Sequence, residues 1–495
     1  MTRPSSVTRH RLYNRTVRCA ILLLAAVALT CAAEKANKNV EDHLIKLNVA
    51  ALDPQGDPVA GLQSSDFQVI EDGKPQKIVF FRFGGERKPV QVADHEYSNR
   101  ATPPVRPTVV LLDLLNDRLL SGSMMGTEAS RFLESLESSE GIYLYLLTVS
   151  GAIYPIHPMP GAGAEIPSSA EPWTKNIAPV LDQAIKKVFS LHPVDDRDVK
   201  NRFDMTMKAL LQLGGEMQQF SGRRNLVWVS HGVPLVGPSI SEQGPVDFTV
   251  PLRRICERLA NAHVIVYNIQ QSVSGAAEAI GTESQMTIDE ITADTGGRAY
   301  RSGRIGDAVH QAINDSRGNY QFAYYTPSTK IDSKHHKIKV VCSHKDVHLQ
   351  TVQGFYSMQA PPPEADVDHL ALTTAAHSAF DQTAIGLRAS VSADSKFSVH
   401  IDASDLYLRP QGDSQHAGKI AVLFAAYESA SKMDQAGAPY QFDLKFTDEQ
   451  YEKVLRDGIA LNPSVPIGPA VKRVRVIVLD EGVGSVGSVT VPIQH

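Results

Sequence analysis

"TVVLLDLLNDRLLSGS", residues 108–123, begins as a solid apolar run and then meets Asp113. An unbroken run, without polar alternation, is the pattern of a strand buried on both faces. Three more such runs occur later in the chain, IYLYLLTV (142–149), NLVWVS (225–230) and HVIVYNI (263–269). Between them lie helical periods at Glu128–Leu136, Ile177–Phe189, Arg202–Phe220, Leu252–Asn261 and Thr287–Thr295. Buried strands alternating with amphipathic helices predict an α/β domain whose mostly parallel sheet is covered on both faces. Asp113 then lies at the carboxyl edge of the first strand, where such a sheet offers a crevice.

Outward from this centre the pattern changes. On the amino-terminal side, LIKLNVAAL (44–52) alternates and DFQVIEDGKPQKIVFFRF (66–83) reads as two strands around Glu71-Asp72-Gly73, so residues 40–92 form a small β unit. A polar, proline-bearing linker runs from Pro89 to Pro107. YQFAYYTP (320–327) and HHKIKVVC (335–342) either extend the central sheet or form an appended hairpin. The segment SMQAPPPEADVD (357–368) breaks both helix and strand. Beyond it, FSVHIDASDLYL, KIAVLFAAYE, YQFDLKF and VKRVRVIVLD alternate between turn signals, as in a β-sandwich over 366–495.

The chain begins with a basic stretch, Arg3 to Arg18, followed by CAILLLAAVAL (19–29). A short apolar run behind unpaired arginines predicts a secretory signal over 1–33 rather than a retained span. Cys31 offers an alternative, a lipid-anchored export form. Removing those five arginines from 49 basic residues leaves 44 against 54 acidic ones, a formal charge of −10. That balance argues against a nucleic-acid partner. No later segment is apolar enough to be an embedded membrane span. Cys256 and Cys342 remain, either paired in an exported protein or as two buried thiols.

LNVAALDPQGDPVAGLQSSDFQVIEDGKPQKIVFF (47–81) resembles the entry segment of the secreted von Willebrand factor A-related proteins of the Acidobacterial type. GRRNLVWVSHGVP (222–234) is similar to their fourth-strand motif, and VQGFYSM (352–358) to their aromatic ending. The resemblance covers roughly residues 40–360. It implies a Rossmann-like A domain over 105–356, binding a protein partner in adhesion fashion and performing no catalysis.

In A domains that hold Mg²⁺, the first loop reads Asp-x-Ser-x-Ser, completed by a threonine and an aspartate from later loops. Hard oxygen ligands in octahedral array suit that ion. Asp113 matches the first position, but Leu115 replaces the first serine and Asp117 the second. His231 stands where the later aspartate is expected, and Thr206 is the available threonine. Asp113, Asp117, Asn116 and Thr206 are therefore the candidate ligands of a degenerate site. The competing reading makes Asp113 a cap that accepts backbone N–H groups.

Three other constellations have plainer readings. GVGSVG (482–487) satisfies a dinucleotide pattern but precedes a strand, so it predicts a hairpin turn. HHKIKVVCSHKDVH (335–348) gathers histidines and Cys342 in zinc-like company, yet fits a solvated basic hairpin. Asp113, Asp117, Ser230 and His231 invite a hydrolase reading, without the G-x-S-x-G elbow that would present a nucleophile. Ser221-Gly-Arg-Arg224 is expected to cap a helix end.

Overall fold

The computed structural model describes residues 44–493, apart from 86–88, 103–104, 117–121, 137–140, 162–171, 192–197, 239–243, 271–281, 302–303, 328–333, 358–366, 393–394, 412–413 and 430–432. The predicted signal, Cys31, Asp117 and the triple proline lie outside the described residues.

The central sheet is built from β1 (Thr108–Asp113), β2 (Ile142–Leu147), β3 (Ile153–His157), β4 (Arg224–Val229), β5 (Val264–Gln270) and β6 (Ala299–Arg301). Their spatial order is β6-β5-β4-β1-β2-β3, with every pairing parallel except β2 with β3. This is the doubly wound order, in which the chain leaves the middle of the sheet in both directions. Every residue of β1, β2 and β4 is buried, which is why those segments read as unbroken apolar runs.

Alternate residues of β1 enter opposite cores. Val109 and Leu111 pack with Phe203, Leu210, Leu252 and Ile288, whereas Val110 and Leu112 pack with Leu133, Leu181, Ile185 and Val309. Those partners come from six helices, α1 (Gly122–Glu134), α2 (Ile177–Phe189), α3 (Val199–Glu216), α4 (Thr249–Asn261), α5 (Thr282–Thr295) and α6 (Ile305–Arg317). The helical periods identify five of these, and α6 escapes them. Arg224 is buried and donates to the carbonyls of Gln218, Phe220 and Ala262, closing the ends of α3 and α4 as the basic pair predicts. Burial pushes its guanidinium down to about 10.

Two expectations need correction. Asn319–Tyr325 and His335–Cys342 neither extend the central sheet nor stand as a free hairpin. The first pairs antiparallel with both Leu44–Leu52 and Ile78–Phe83, and the second pairs with Phe67–Glu71. Two antiparallel sheets thus draw on both 40–92 and 319–356 and share a core of Leu47, Val49, Phe67, Tyr320 and Phe322. The stretch 89–107 is likewise more than a linker, since Tyr97–Ser98 adds a strand beside Leu387–Val391. Asn99 secures it by donating to the carbonyls of Gln382 and Ile385 and accepting from the Leu387 N–H.

The carboxyl-terminal unit consists of two antiparallel sheets around a common core that includes Phe397, Val399, Val422, Phe424 and Val476. GVGSVG forms the tight connection between Arg473–Asp480 and Ser485–Pro492, with Gly484 at φ +65°. The glycines therefore make a hairpin turn and lead into no helix. Cys256 and Cys342 are both free thiols. Among the described residues no helix is long and apolar enough to cross a membrane.

Candidate functional site

Asp113 ends β1 and is completely buried. A buried carboxylate needs its lone pairs filled, because an unmet ionised group in low dielectric is costly. Here the filling comes from protein. Oδ1 accepts the backbone N–H groups of Leu115 and Asn116, each at 3.0 Å. Oδ2 accepts the Asn116 side-chain amide at 2.8 Å, Trp228 Nε1 at 3.0 Å and the Ser230 hydroxyl at 2.7 Å. Five donors meet a group with roughly four lone-pair sites, so the carboxylate is saturated.

Each donor is held in turn. Trp228 and Ser230 sit two apart at the end of β4, and strand alternation sends both toward Asp113. Asn268 on β5 donates to the carbonyls of Trp228 and Ser230, fixing that strand end, and the Ser230 oxygen also accepts the Gly232 N–H at 2.9 Å. Asn116 Nδ2 donates a second hydrogen bond to Thr206 Oγ1 at 2.9 Å. Thr206 lies in the middle of α3, fully buried, and donates its own hydroxyl proton to the Arg202 carbonyl at 2.8 Å.

Three of the four predicted ligands, Asp113, Asn116 and Thr206, therefore come together, while Asp117 lies outside the described residues. They meet as a hydrogen-bond chain rather than as an oxygen cage, and Asn116 Oδ1 is the atom among them left without a partner. The Asn116 amide stands between the Asp113 carboxylate and the Thr206 hydroxyl, where a bridging cation would have to be. Turning that amide over would set two acceptors 2.8 Å apart, so the nitrogen belongs there. Leu115, at the first serine position, is a core residue with no exposed surface. As they stand, these side chains do not fit Mg²⁺, and Asp113 does cap its loop through two backbone N–H groups.

Nor do Ser230 and Asp113 stand as members of a hydrolytic relay. A nucleophile–base–acid series requires the imidazole between hydroxyl and carboxylate. Ser230 instead donates directly to Asp113, and its oxygen is already an acceptor for Gly232. Trp228 is the participant that sequence reasoning missed. Its place in NLVWVS reads as core, and only its spacing from Ser230 hints that the indole N–H faces the same point.

The histidine-rich strand forms a different cluster. His336 Nδ1 lies 2.7 Å from Asp72 Oδ2, and Glu71, Asp72 and His336 place their polar atoms within 4.8 Å of one another. Asp72 and Gly73 both have positive φ, +47° and +80°, so they make the two-residue hairpin turn that the Asp-Gly pair favours. Burial raises the Asp72 carboxyl, but the Lys337 N–H and His336 outweigh it and hold the group below its usual range. His344 turns away to Asp66 at 3.4 Å and Cys342 is a free thiol, so neither joins the cluster.

No family model matches the chain, and no curated protein matches it. Among solved structures, the human COPII-coat protein Sec24c is 8% identical over 53% of this chain and 46% of its own, with a TM-score of 0.27. An aerotolerance-related membrane protein from Bacteroides fragilis is 11% identical over 43% and 98%, at a TM-score of 0.24. The pilus adhesin SpaC from Lactobacillus rhamnosus GG, in its open conformation, is 9% identical over 87% and 56%, at a TM-score of 0.26. The chain spans about half the length of Sec24c and SpaC. Similarities this distant carry no argument about fold or function, which leaves the chain's own geometry to supply one.

Proposed function

We propose that this protein is an exported, non-enzymatic protein-binding module built on an A-type α/β domain, and that its crevice works without a metal ion. The observation that carries this reading is the Asn116 amide, hydrogen-bonded at once to Asp113 and Thr206. An internal donor performs there the bridging that a cation performs in a metal-dependent adhesion site. The doubly wound strand order, with its single antiparallel edge, and the sequence resemblance support the A-type assignment.

The face that receives the partner is the carboxyl edge of the sheet, around the first turns of α4 and α5. Val236, Val250 and Met286 are 39%, 53% and 55% exposed there. Apolar side chains on a rigid α/β rim are suited to the buried centre of an interface, while the loops between them set its specificity. Affinity then comes from apolar contact rather than from a carboxylate delivered to a metal.

The test is capture of cell-envelope protein by the purified chain, with and without chelator, and with Val250→Asp/Met286→Asp. Capture that survives chelation and drops at least tenfold in the double variant is expected. Loss of capture on chelation, or indifference to the double variant, contradicts the proposal.

A further inference from the structure

The units of the chain meet around a cavity of about 60 Å³ that no feature of the Asp113 crevice uses. Its wall includes Arg82 from the amino-terminal sheet, Arg100 and Arg106 from the connecting stretch, Ser221 and Arg223 from the turn before β4, and Thr383 from the carboxyl-terminal unit. Four guanidinium groups around one small space are mutually repulsive. They persist in a folded protein only when anionic or acceptor groups compensate them.

Part of that compensation is built in. Arg100 pairs with Asp402 at 2.9 Å and Asp405 at 2.5 Å. Arg82 donates to the Ala384 carbonyl and to Gln321 Oε1. Arg223 is treated differently. It is 2% exposed, and one nitrogen, Nη2, donates to the Tyr267 hydroxyl at 2.7 Å and reaches Asp315 at 3.5 Å. Its Nε and Nη1 are buried with no hydrogen-bond partner. Natively folded chains seldom strand charged N–H donors in this way, and a missing ligand is a standard reason when they do.

We propose that this cavity binds a small free oxyanion of the phosphate or sulfate class, with Arg223 as its principal anchor. An unmet N–H of this guanidinium, Nε–H on one edge or Nη1–H on the other, can donate a charge-assisted hydrogen bond to an oxygen of such an anion. Its volume is several times the 10–15 Å³ or so that one ordered water requires, so it admits a central atom with four oxygens. A free anion, rather than a phosphate esterified to a peptide or lipid, is the ligand that so small a volume suits best. Because its walls come from every unit of the chain, the bound anion ties those units together. The inference is independent of the Asp113 crevice, since none of its residues takes part there.

The experiment is calorimetric titration of the full chain with inorganic phosphate and with sulfate, at ionic strength held constant with chloride. Saturable one-to-one binding is expected, with a thermal midpoint that rises in step with occupancy. Arg223→Met should weaken the affinity about tenfold or more, and Arg106→Met provides the same reading if the first variant fails to fold. O-phosphoserine should compete poorly. Absence of saturable heat up to about 10 mM anion, a range that covers even weak sites, overturns the proposal. So does a midpoint rise that persists unchanged in Arg223→Met, which marks the general exclusion effect of these salts. Binding of O-phosphoserine as tight as that of phosphate overturns the free-anion assignment.

Discussion

The crevice at Asp113, at the carboxyl edge of the central sheet, and the cavity at Arg223, at the amino end of β4, are both buried and charged, yet they are finished differently. At Asp113 five protein donors fill one carboxylate, and the amide of Asn116 takes the bridging position. At Arg223 two buried guanidinium nitrogens have no hydrogen-bond partner. Residue type alone points toward the first site, because an aspartate at a strand's exit looks like a ligand. Hydrogen-bond accounting points toward the second, because its two unmet nitrogens belong to a charged group, whereas the unmet atom beside Asp113 is a neutral amide oxygen, Asn116 Oδ1.

The comparison can be broken most forcefully by removing its saturated partner. Asp113→Ala strands the indole N–H of Trp228, the hydroxyl of Ser230 and the amide of Asn116 in the interior. Breaking so buried a charged network is expected to cost about 4 kcal/mol, read as a fall in urea midpoint at unchanged m-value. A cost under about 1 kcal/mol would mean that the network holds nothing together.

Asp294 sharpens the contrast, being a half-buried carboxylate with one oxygen unmet. Its Oδ2 has no hydrogen-bond partner, and burial, aided by the nearby charge of Glu290, pushes the group up from 3.8 to about 7. Well below pH 3.8 the carboxyl is protonated in both folded and unfolded chains. Between pH 4 and 7 the unfolded chain releases a proton that the folded chain keeps, so the stability attributable to this group falls as pH rises through that window. Asp294→Asn should therefore stabilise the protein by about 2 kcal/mol at pH 8 and have little effect at pH 4. The difference between variant and parent across that range is the measurement, and a flat difference removes Asp294 as the cause.

Single donors account for smaller effects. Trp228→Phe leaves Asp113 with four of its five donors and opens a small void, for a cost of about 2 kcal/mol. Asn116→Ala, at a half-buried position, should cost about 1 kcal/mol. If Asn116→Ala proved the costlier of the two, the bridging amide would be the centre of the network rather than its rim.

Much of the central fold is legible in the chain. Strands buried on both faces must be apolar throughout, so TVVLLD, IYLYLL and NLVWV announce themselves, and the short β segment after GVGSVG marks those glycines as a hairpin turn. Partners in a sheet are harder to see. Alternation in Leu44–Leu52 and Asn319–Tyr325 shows that each is a half-buried strand, but nothing local shows that they pair across more than 260 residues. At the crevice, Asp113 and Thr206 can be picked out by type, whereas the role of Trp228 cannot. A tryptophan in an apolar run satisfies every local rule as a core residue, and only the folded neighbourhood shows where its one donor points. Arg223 is legible only as half of a basic pair. Its neighbour Arg224 caps helices as expected, and the difference between them lies in carbonyls that the fold brings to one and withholds from the other.

The central claim is that the cation position at Asp113 is already filled from within. Calorimetric titration with Mg²⁺, run on the parent chain, Asp113→Ala and Asn116→Asp, tests it most directly. Comparing the first two separates any heat at Asp113 from binding at Glu71, Asp72 and His336. No Asp113-dependent heat is expected in the parent chain, and a new binding event is expected in Asn116→Asp, where a carboxylate replaces the bridging amide. Mg²⁺ binding in the parent chain that disappears in Asp113→Ala would contradict it.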